Sequence, residues 1–227
     1  MTRPKYSLRE VESILADDDL QNFLRRKLAA TYDEVIDILY EELDLIIADM
    51  ERNPQHYIEK EEDEITGAVV SALRHRSYSA TQGTTSGGNV DITVSWPKHS
   101  DWTWICEAKI YNSIKSLDDG YLQLTTRYQN ASLIHDKRGL LAYTKRPKAS
   151  ALLKQWDDHL ARKDLDGYSR TECKSRPQFS FYSTHVDPKG GHLVPVRHLA
   201  VALYHMPQDT SGKNAKKYVE RRKKLGL

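Results

Sequence analysis

Cysteine is scarce: Cys106 and Cys173 are the only two in 227 residues, too few for a disulfide framework or a cysteine-built zinc site. Cys106 lies in an apolar stretch and reads as a small core residue rather than a nucleophile. No apolar run approaches the roughly 18 residues needed to span a bilayer. Nor does an apolar signal core follow the opening Met-Thr-Arg-Pro-Lys-Tyr. A cytoplasmic protein without a membrane partner is therefore expected. No internal repeat is present, which excludes solenoids and propellers. The chain is long enough for one domain with a proper core plus an appendage, and short for two full domains.

Net charge is also small, at +2, but it hides an asymmetry. Of 32 acidic and 34 basic residues, 18 acidic and only 8 basic ones fall in residues 1–64. The remaining 14 acidic and 26 basic residues make residues 65–227 strongly positive. A basic body behind an acidic front suits a nucleic-acid binder, although solvated helix faces would give the same count.

The N-terminal part reads as helical. Ser7, with Glu10 three residues on, marks a short first helix by the capping-box pattern. Asp17-Asp18-Asp19 offers a cap for a longer second helix. Within it Leu28, Tyr32, Val35, Leu39, Leu43, Ile46 and Met50 recur at spacings of four and three, a stripe for another chain or an intramolecular lid. Asn53-Pro54 ends it. A third helix is expected over about 59–76, with Ile65, Ala68, Val69, Ala72 and Leu73 on its apolar face. Residues 77–89 read as a polar, glycine-rich loop. Asp118 or Asp119 caps a fourth helix to about Asn130; Gly139–Thr144 reads as a strand and Ser150–Arg162 as a helix. Later come strands over 179–186 and 192–196, a helix over 196–204, and a tail from Ser211 with seven basic residues. The late histidines, His185, His192, His198 and His205, fit no common zinc spacing and read as surface or hydrogen-bonded groups.

Two runs between these helices carry the chemistry. Asp91–Trp96 alternates around Ile92, Val94 and Trp96; Trp102–Ile110 alternates around Trp102, Trp104, Cys106, Ala108 and Ile110. Residues 97–101 would join them as a hairpin loop. Side chains two apart on a strand share a face, so Glu107 and Lys109 point together. If Trp96 opposes Trp102, Asp91 falls opposite Glu107, with Cβ atoms about 4.5–5.5 Å apart. The apolar residues then fill the other, buried face. Two adjacent carboxylates repel unless a cation intervenes. Hard oxygen ligands suit Mg²⁺ or Mn²⁺, and a neighbouring lysine can orient a water or stabilise charge developing on a phosphodiester.

The pattern Asp91, fifteen residues, then Glu107-Ala108-Lys109, resembles the PD-(D/E)XK nuclease superfamily from Glu64 to about Thr144. The resemblance implies an α/β restriction-endonuclease-like core, a central mixed sheet flanked by helices, with an N-terminal helical extension. It implies a metal held by Asp91, Glu107 and the main-chain carbonyl of Ala108, and a catalytic role for Lys109. The family's first-helix glutamate would be Glu64, with Glu61 the competing choice, and its helix glutamine would be Gln123. Arg127, one turn on, together with Lys145 and Arg146, would contact nucleic acid. Val90 stands where the name-giving proline would be, and Ser77–Thr81 is the only candidate for the first core strand. The chain then divides into a helical extension (1–56) for oligomerisation or a partner protein, a nuclease domain with a C-terminal α/β addition (57–210), and a basic tail (211–227). The function implied is Mg²⁺-dependent cleavage of DNA, in restriction or anti-phage defence by analogy alone. The alternatives are a catalytically silent binding or scaffold subunit and an RNA-directed nuclease.

Overall fold

The computed structural model describes residues 16–85, 89–127, 137–209 and 214–225, with a few isolated positions before residue 16. The short helix expected from Ser7 therefore lies largely outside the described residues. The chain is α/β, with a seven-stranded mixed sheet flanked by helices. Its elements are α1 (Asp18–Leu28), α2 (Tyr32–Arg52), α3 (Glu62–His75), β1 (Ser79–Thr85), β2 (Asn89–Trp96), β3 (His99–Ile110), α4 (Ile114–Leu122), β4 (Arg138–Thr144), α5 (Ala149–Ala161), β5 (Ser169–Glu172), β6 (Ser180–Val186), β7 (Leu193–Ala202) and α6 (Lys216–Leu225). The sheet runs β1-β2-β3-β4-β7-β6-β5. The three central strands β3, β4 and β7 are parallel, and the outer pairings are antiparallel.

Asp17 caps α1 as expected, its Oδ1 accepting from the Leu20 amide at 2.8 Å. The single long helix to Met50 is corrected to two. Thr31 caps α2 through Glu34, whose carboxylate accepts from the Thr31 and Ala30 amides, so the chain restarts there. Leu28, left on the far side of this break, is 78% exposed and does not belong to the stripe. The rest of the stripe is buried within the chain. Val35, Leu39, Leu43, Ile46 and Met50 share one core with Trp104 of β3, Tyr143 of β4 and Leu199 of β7. Within the region expected as a helical extension, α2 thus covers one face of the central sheet. Among the described residues of α1 and α2, the large apolar side chains left exposed are Leu24, Leu28 and Leu45.

Three further readings change. Residues 77–89, expected as loop with Ser77–Thr81 the one candidate strand, contain edge strand β1 against β2; among its described side chains only Ala80 reaches the core, so hydrophobic alternation gave little sign of it. The helix expected over 196–204 is instead the second half of β7, which lies between β4 and β6. A strand covered on both faces reads as a continuous apolar run, which a helix segment also can. The fourth helix starts at Ser113, whose Oγ accepts from the Ser116 amide at 3.3 Å, not at Asp118 or Asp119. It continues as a π-helical turn through Arg127.

Candidate active site

The β2–β3 hairpin sets the site. Ile92 pairs with Cys106, Thr93 with Ile105 and Val94 with Trp104, the register that places Asp91 opposite Glu107. The closure differs from the symmetric one. Pro97-Lys98 is the whole turn, Trp96 pairs with His99, and a bulge follows Ser95. His99 stacks on Trp102 with ring centroids 3.7 Å apart, while Tyr32 and Tyr78 meet Trp96 edge-on, so aromatic packing fixes the bulged tip. A bulge absorbs extra residues locally and leaves the register beyond it intact. Hence Asp91 faces Glu107 whichever way the tip closes.

The apolar side of the hairpin is buried, and the other side gathers the charges. The Asp91 Oδ2 accepts from the Ala108 amide at 2.8 Å and lies 3.4 Å from the Lys109 Nζ. The Glu107 Oε1 is 2.7 Å from the same ammonium. Glu107 is 1% exposed, and its Oε2 is buried without a hydrogen-bond partner. A third carboxylate comes from Glu62, the first residue of α3: its Oε2 accepts from the Ile110 amide at 2.6 Å and its Oε1 lies 3.4 Å from the Lys109 Nζ. Lys109 is therefore the hub of three carboxylates.

The electrostatics follow from burial and crowding. Burial first, and then the charge of Asp91, push the Glu107 carboxyl up to about 7. Burial opposes the charge on Lys109, but the hydrogen bond to Glu107 and the fields of Asp91, Glu107 and Glu62 outweigh it and raise its pKa. One ammonium faces three carboxylates, and one buried carboxylate oxygen is unsatisfied. That donor set suits a hard divalent cation. Among the described residues, no three His, Cys, Asp or Glu side chains already stand in metal-ligand geometry.

Glu62 is the site residue that sequence reasoning missed. Glu64 instead accepts from the Glu61 amide at 3.0 Å and pairs with Lys60 at 3.0 Å, on an exposed turn. That backbone bond, and then Lys60, lower its pKa. Glu61 lies just before α3. The signal was available in helical spacing: Glu62 lies three residues before Ile65 and four before Thr66, both buried, whereas Glu64 is turned about 100° from Ile65.

Helix α4 closes the site from the other side. A Cβ at Gly120 would lie 2.8 Å from the Lys109 Cγ and 3.4 Å from the Glu107 Cγ, so only glycine lets the helix approach this closely. Gln123, three residues on and half-buried, opens the π-helical turn. Arg127 ends that turn, and its side chain lies outside the described residues. Lys145 donates to the Lys60 carbonyl, and Arg146 is exposed. Two of the late histidines are buried and bonded. His198 lies between the Trp156 indole at 3.1 Å and the Ser183 hydroxyl at 2.8 Å, and His185 meets the Tyr121 hydroxyl at 2.9 Å. Burial pushes the His198 pKa down to about 3, so this ring stays neutral.

No model of a protein family, no curated protein and no solved structure matches the chain. Among the described residues, no helix is long and apolar enough to cross a membrane.

Proposed function

We propose that the chain is a metal-dependent nuclease of the restriction-endonuclease-like type that hydrolyses phosphodiester bonds, with DNA as substrate. The observation that carries this reading is the convergence of Asp91, Glu107 and Glu62 on Lys109, with a buried carboxylate oxygen left unsatisfied. The succession of α3, three antiparallel strands, α4 and the parallel strand β4 also agrees with that fold.

Asp91 and Glu107, with the main-chain carbonyl of Ala108, would hold Mg²⁺ or Mn²⁺. Such an ion supplies a polarised phosphoryl oxygen and an acidified water. The chain's own residues do the rest. Lys109 holds its proton and presents a fixed positive charge beside the reacting phosphate, where charge builds in the transition state. Glu62 positions Lys109 and fixes the β3 backbone through the Ile110 amide. The Ala108 amide orients Asp91. Gly120 allows α4 to cover the pair and exclude water from their inner side.

A catalytically silent binding subunit is the second reading. It is favoured by the fact that Lys109 already bridges the carboxylates, as in a purely structural ion-pair network. Plasmid nicking with Mg²⁺ and with EDTA, beside Lys109→Ala, decides between them. The nuclease reading expects Mg²⁺-dependent nicking that falls by about 100-fold or more in the variant. Absence of nicking by the folded wild-type chain, on DNA and on RNA, overturns it.

A further inference from the structure

The catalytic cluster is acidic, yet a nucleic-acid strand must come to rest on it, so its phosphates need a cationic surface nearby. The fold brings one to the same edge of the sheet. Glu107 and Lys109 lie at the carboxyl end of β3, and β4 runs parallel beside it, Lys109 pairing with Ala142. The basic loop Lys145-Arg146-Pro147-Lys148 leaves the carboxyl end of β4, at the kind of edge where parallel sheets commonly bind ligands. β7, also parallel, ends at the same edge, with the Leu203 amide bonded to the Thr144 carbonyl at 2.9 Å.

From there the chain passes His205 and reaches α6. This helix is docked, not trailing. Arg221 pairs with Glu59 and is only 13% exposed, and the Tyr218 ring meets His205 edge-on at 5.6 Å. Glu59 lies three residues before Glu62, and Lys145 donates to the carbonyl of the intervening Lys60. Burial, joined by the like charge of Arg221, lowers the Lys145 pKa against the raising fields of Glu61 and Glu59. The α6 anchor, the β4 loop and the first turn of α3 are thus one neighbourhood. Docked through Arg221 and Tyr218, α6 leaves Lys216 and Lys223 exposed; these are seven residues apart and so on one face of the helix.

We propose that this face of α6, together with the Lys145–Lys148 loop, forms a track for the sugar–phosphate backbone of duplex DNA, leading it onto the Asp91–Glu107–Lys109 cluster. The proposal rests on the nuclease reading for its destination, but the binding surface can be tested without catalysis. The chemistry recognised is a row of phosphodiesters. The Tyr218 ring is turned against His205 rather than presented beside the exposed Lys216 and Lys223, so the track offers charge without a stacking platform, which suits duplex rather than unstacked single strands.

The test is fluorescence anisotropy of a labelled duplex with the full chain in EDTA, over a salt series, for the wild type and for Lys216→Gln/Lys223→Gln. The anchors Arg221 and Tyr218 are kept, and an unchanged melting curve shows that α6 remains docked. Each phosphate contact contributes roughly 0.9 to the slope of log affinity against log salt, so the double variant should lose about 1.8 units if both lysines touch DNA. A second variant, Arg146→Gln/Lys148→Gln, should flatten the slope in the same way. Unchanged affinity and slope in both variants, or no duplex binding by the wild type at low salt, overturns the track. A flattened slope with no Mg²⁺-dependent nicking leaves the track standing and removes the nuclease reading instead.

Discussion

At the scale of single residues, the site makes sharp distinctions between neighbours in sequence. Glu62 touches Lys109, whereas Glu64 faces solvent two residues away. Glu62→Gln should therefore cost at least ten-fold in nicking rate, and Glu64→Gln should cost little; equal losses would remove Glu62 from its positioning role. Asp91 holds both the Ala108 amide and the Lys109 ammonium, so its change to Ala would confound metal loss with an orphaned amide, worth about 1–3 kcal/mol. Asp91→Asn retains an acceptor for that amide. It should fold normally yet lose cleavage and Mg²⁺ affinity together, as read by nicking and by calorimetric titration. Glu107 adds a pH dependence. Its carboxyl titrates near 7 in the folded chain against an ordinary 4.5. Between those values the unfolded chain has released a proton that the folded chain keeps, so stability falls as pH rises and the loss is complete above about 7. Lys109, with its pKa raised, stays protonated throughout and adds no slope. Thermal melts in EDTA from acid to neutral pH should show this decline, and Glu107→Gln should flatten it. A wild-type curve that rises over the same window would contradict the burial of an unpaired carboxylate oxygen.

At the scale of elements, α4 packs closely on β3 at the candidate site. Gly120→Ala places a methyl 2.8 Å from the Lys109 Cγ, a mid-chain atom that cannot swing away freely. Overpacking of this kind costs about 1–3 kcal/mol, partly offset by the roughly 1 kcal/mol that alanine gains over glycine in a helix. The expected result is a modest fall in melting temperature with a much larger fall in cleavage, because Lys109 is what must move. This pairing of elements was only half legible in the sequence. Strand alternation around Ile92, Val94, Trp104 and Cys106 gave the register of Asp91 and Glu107, because burying one face leaves a single way to align two strands. It could not give the bulge after Ser95, which aromatic packing from α2 and the α3–β1 connection secures. Nor could it give β1, whose polar residues form an edge held by backbone pairing, or the second half of β7, whose two buried faces erase the alternation. Pattern likeness favours Glu64 and spacing from Ile65 alone favours Glu61; only Ile65 and Thr66 taken together as the buried pair point to Glu62.

At the scale of the molecule, α2 makes the chain one body. It contributes Val35, Ile36, Leu39, Leu43, Ile46, Ile47 and Met50 to the core that also holds β2, β3, β4 and β7. Fully burying each such side chain is worth about 1.5–3 kcal/mol before the entropy of ordering it is counted. Polar ties run the same way. The Arg197 guanidinium, 2% exposed, pairs with Asp44 at 2.8 Å, and Arg176 pairs with Glu51 at 2.7 Å. Deleting α2 would therefore strip one face of the sheet and remove the carboxylate partners of Arg197 and Arg176, whereas Asp44→Ala keeps Arg197 covered and leaves its charge unpaired, a defect worth about 3–5 kcal/mol. Residues 57–227 expressed alone should show no cooperative thermal transition, although they contain Glu62, Asp91, Glu107 and Lys109. Because a truncation can fail for trivial reasons, Asp44→Ala in the full chain is the finer probe. It should lower the melting temperature by several degrees while Lys109 and its carboxylates, on the other side of the hairpin from the α2 core, keep their arrangement. Mg²⁺-dependent nicking below the melting temperature should then be near wild type. A cooperative melt by residues 57–227 close to that of the full chain would show that the boundary at residue 56 is a real one, and that the α2 contacts add to a core already sufficient without them.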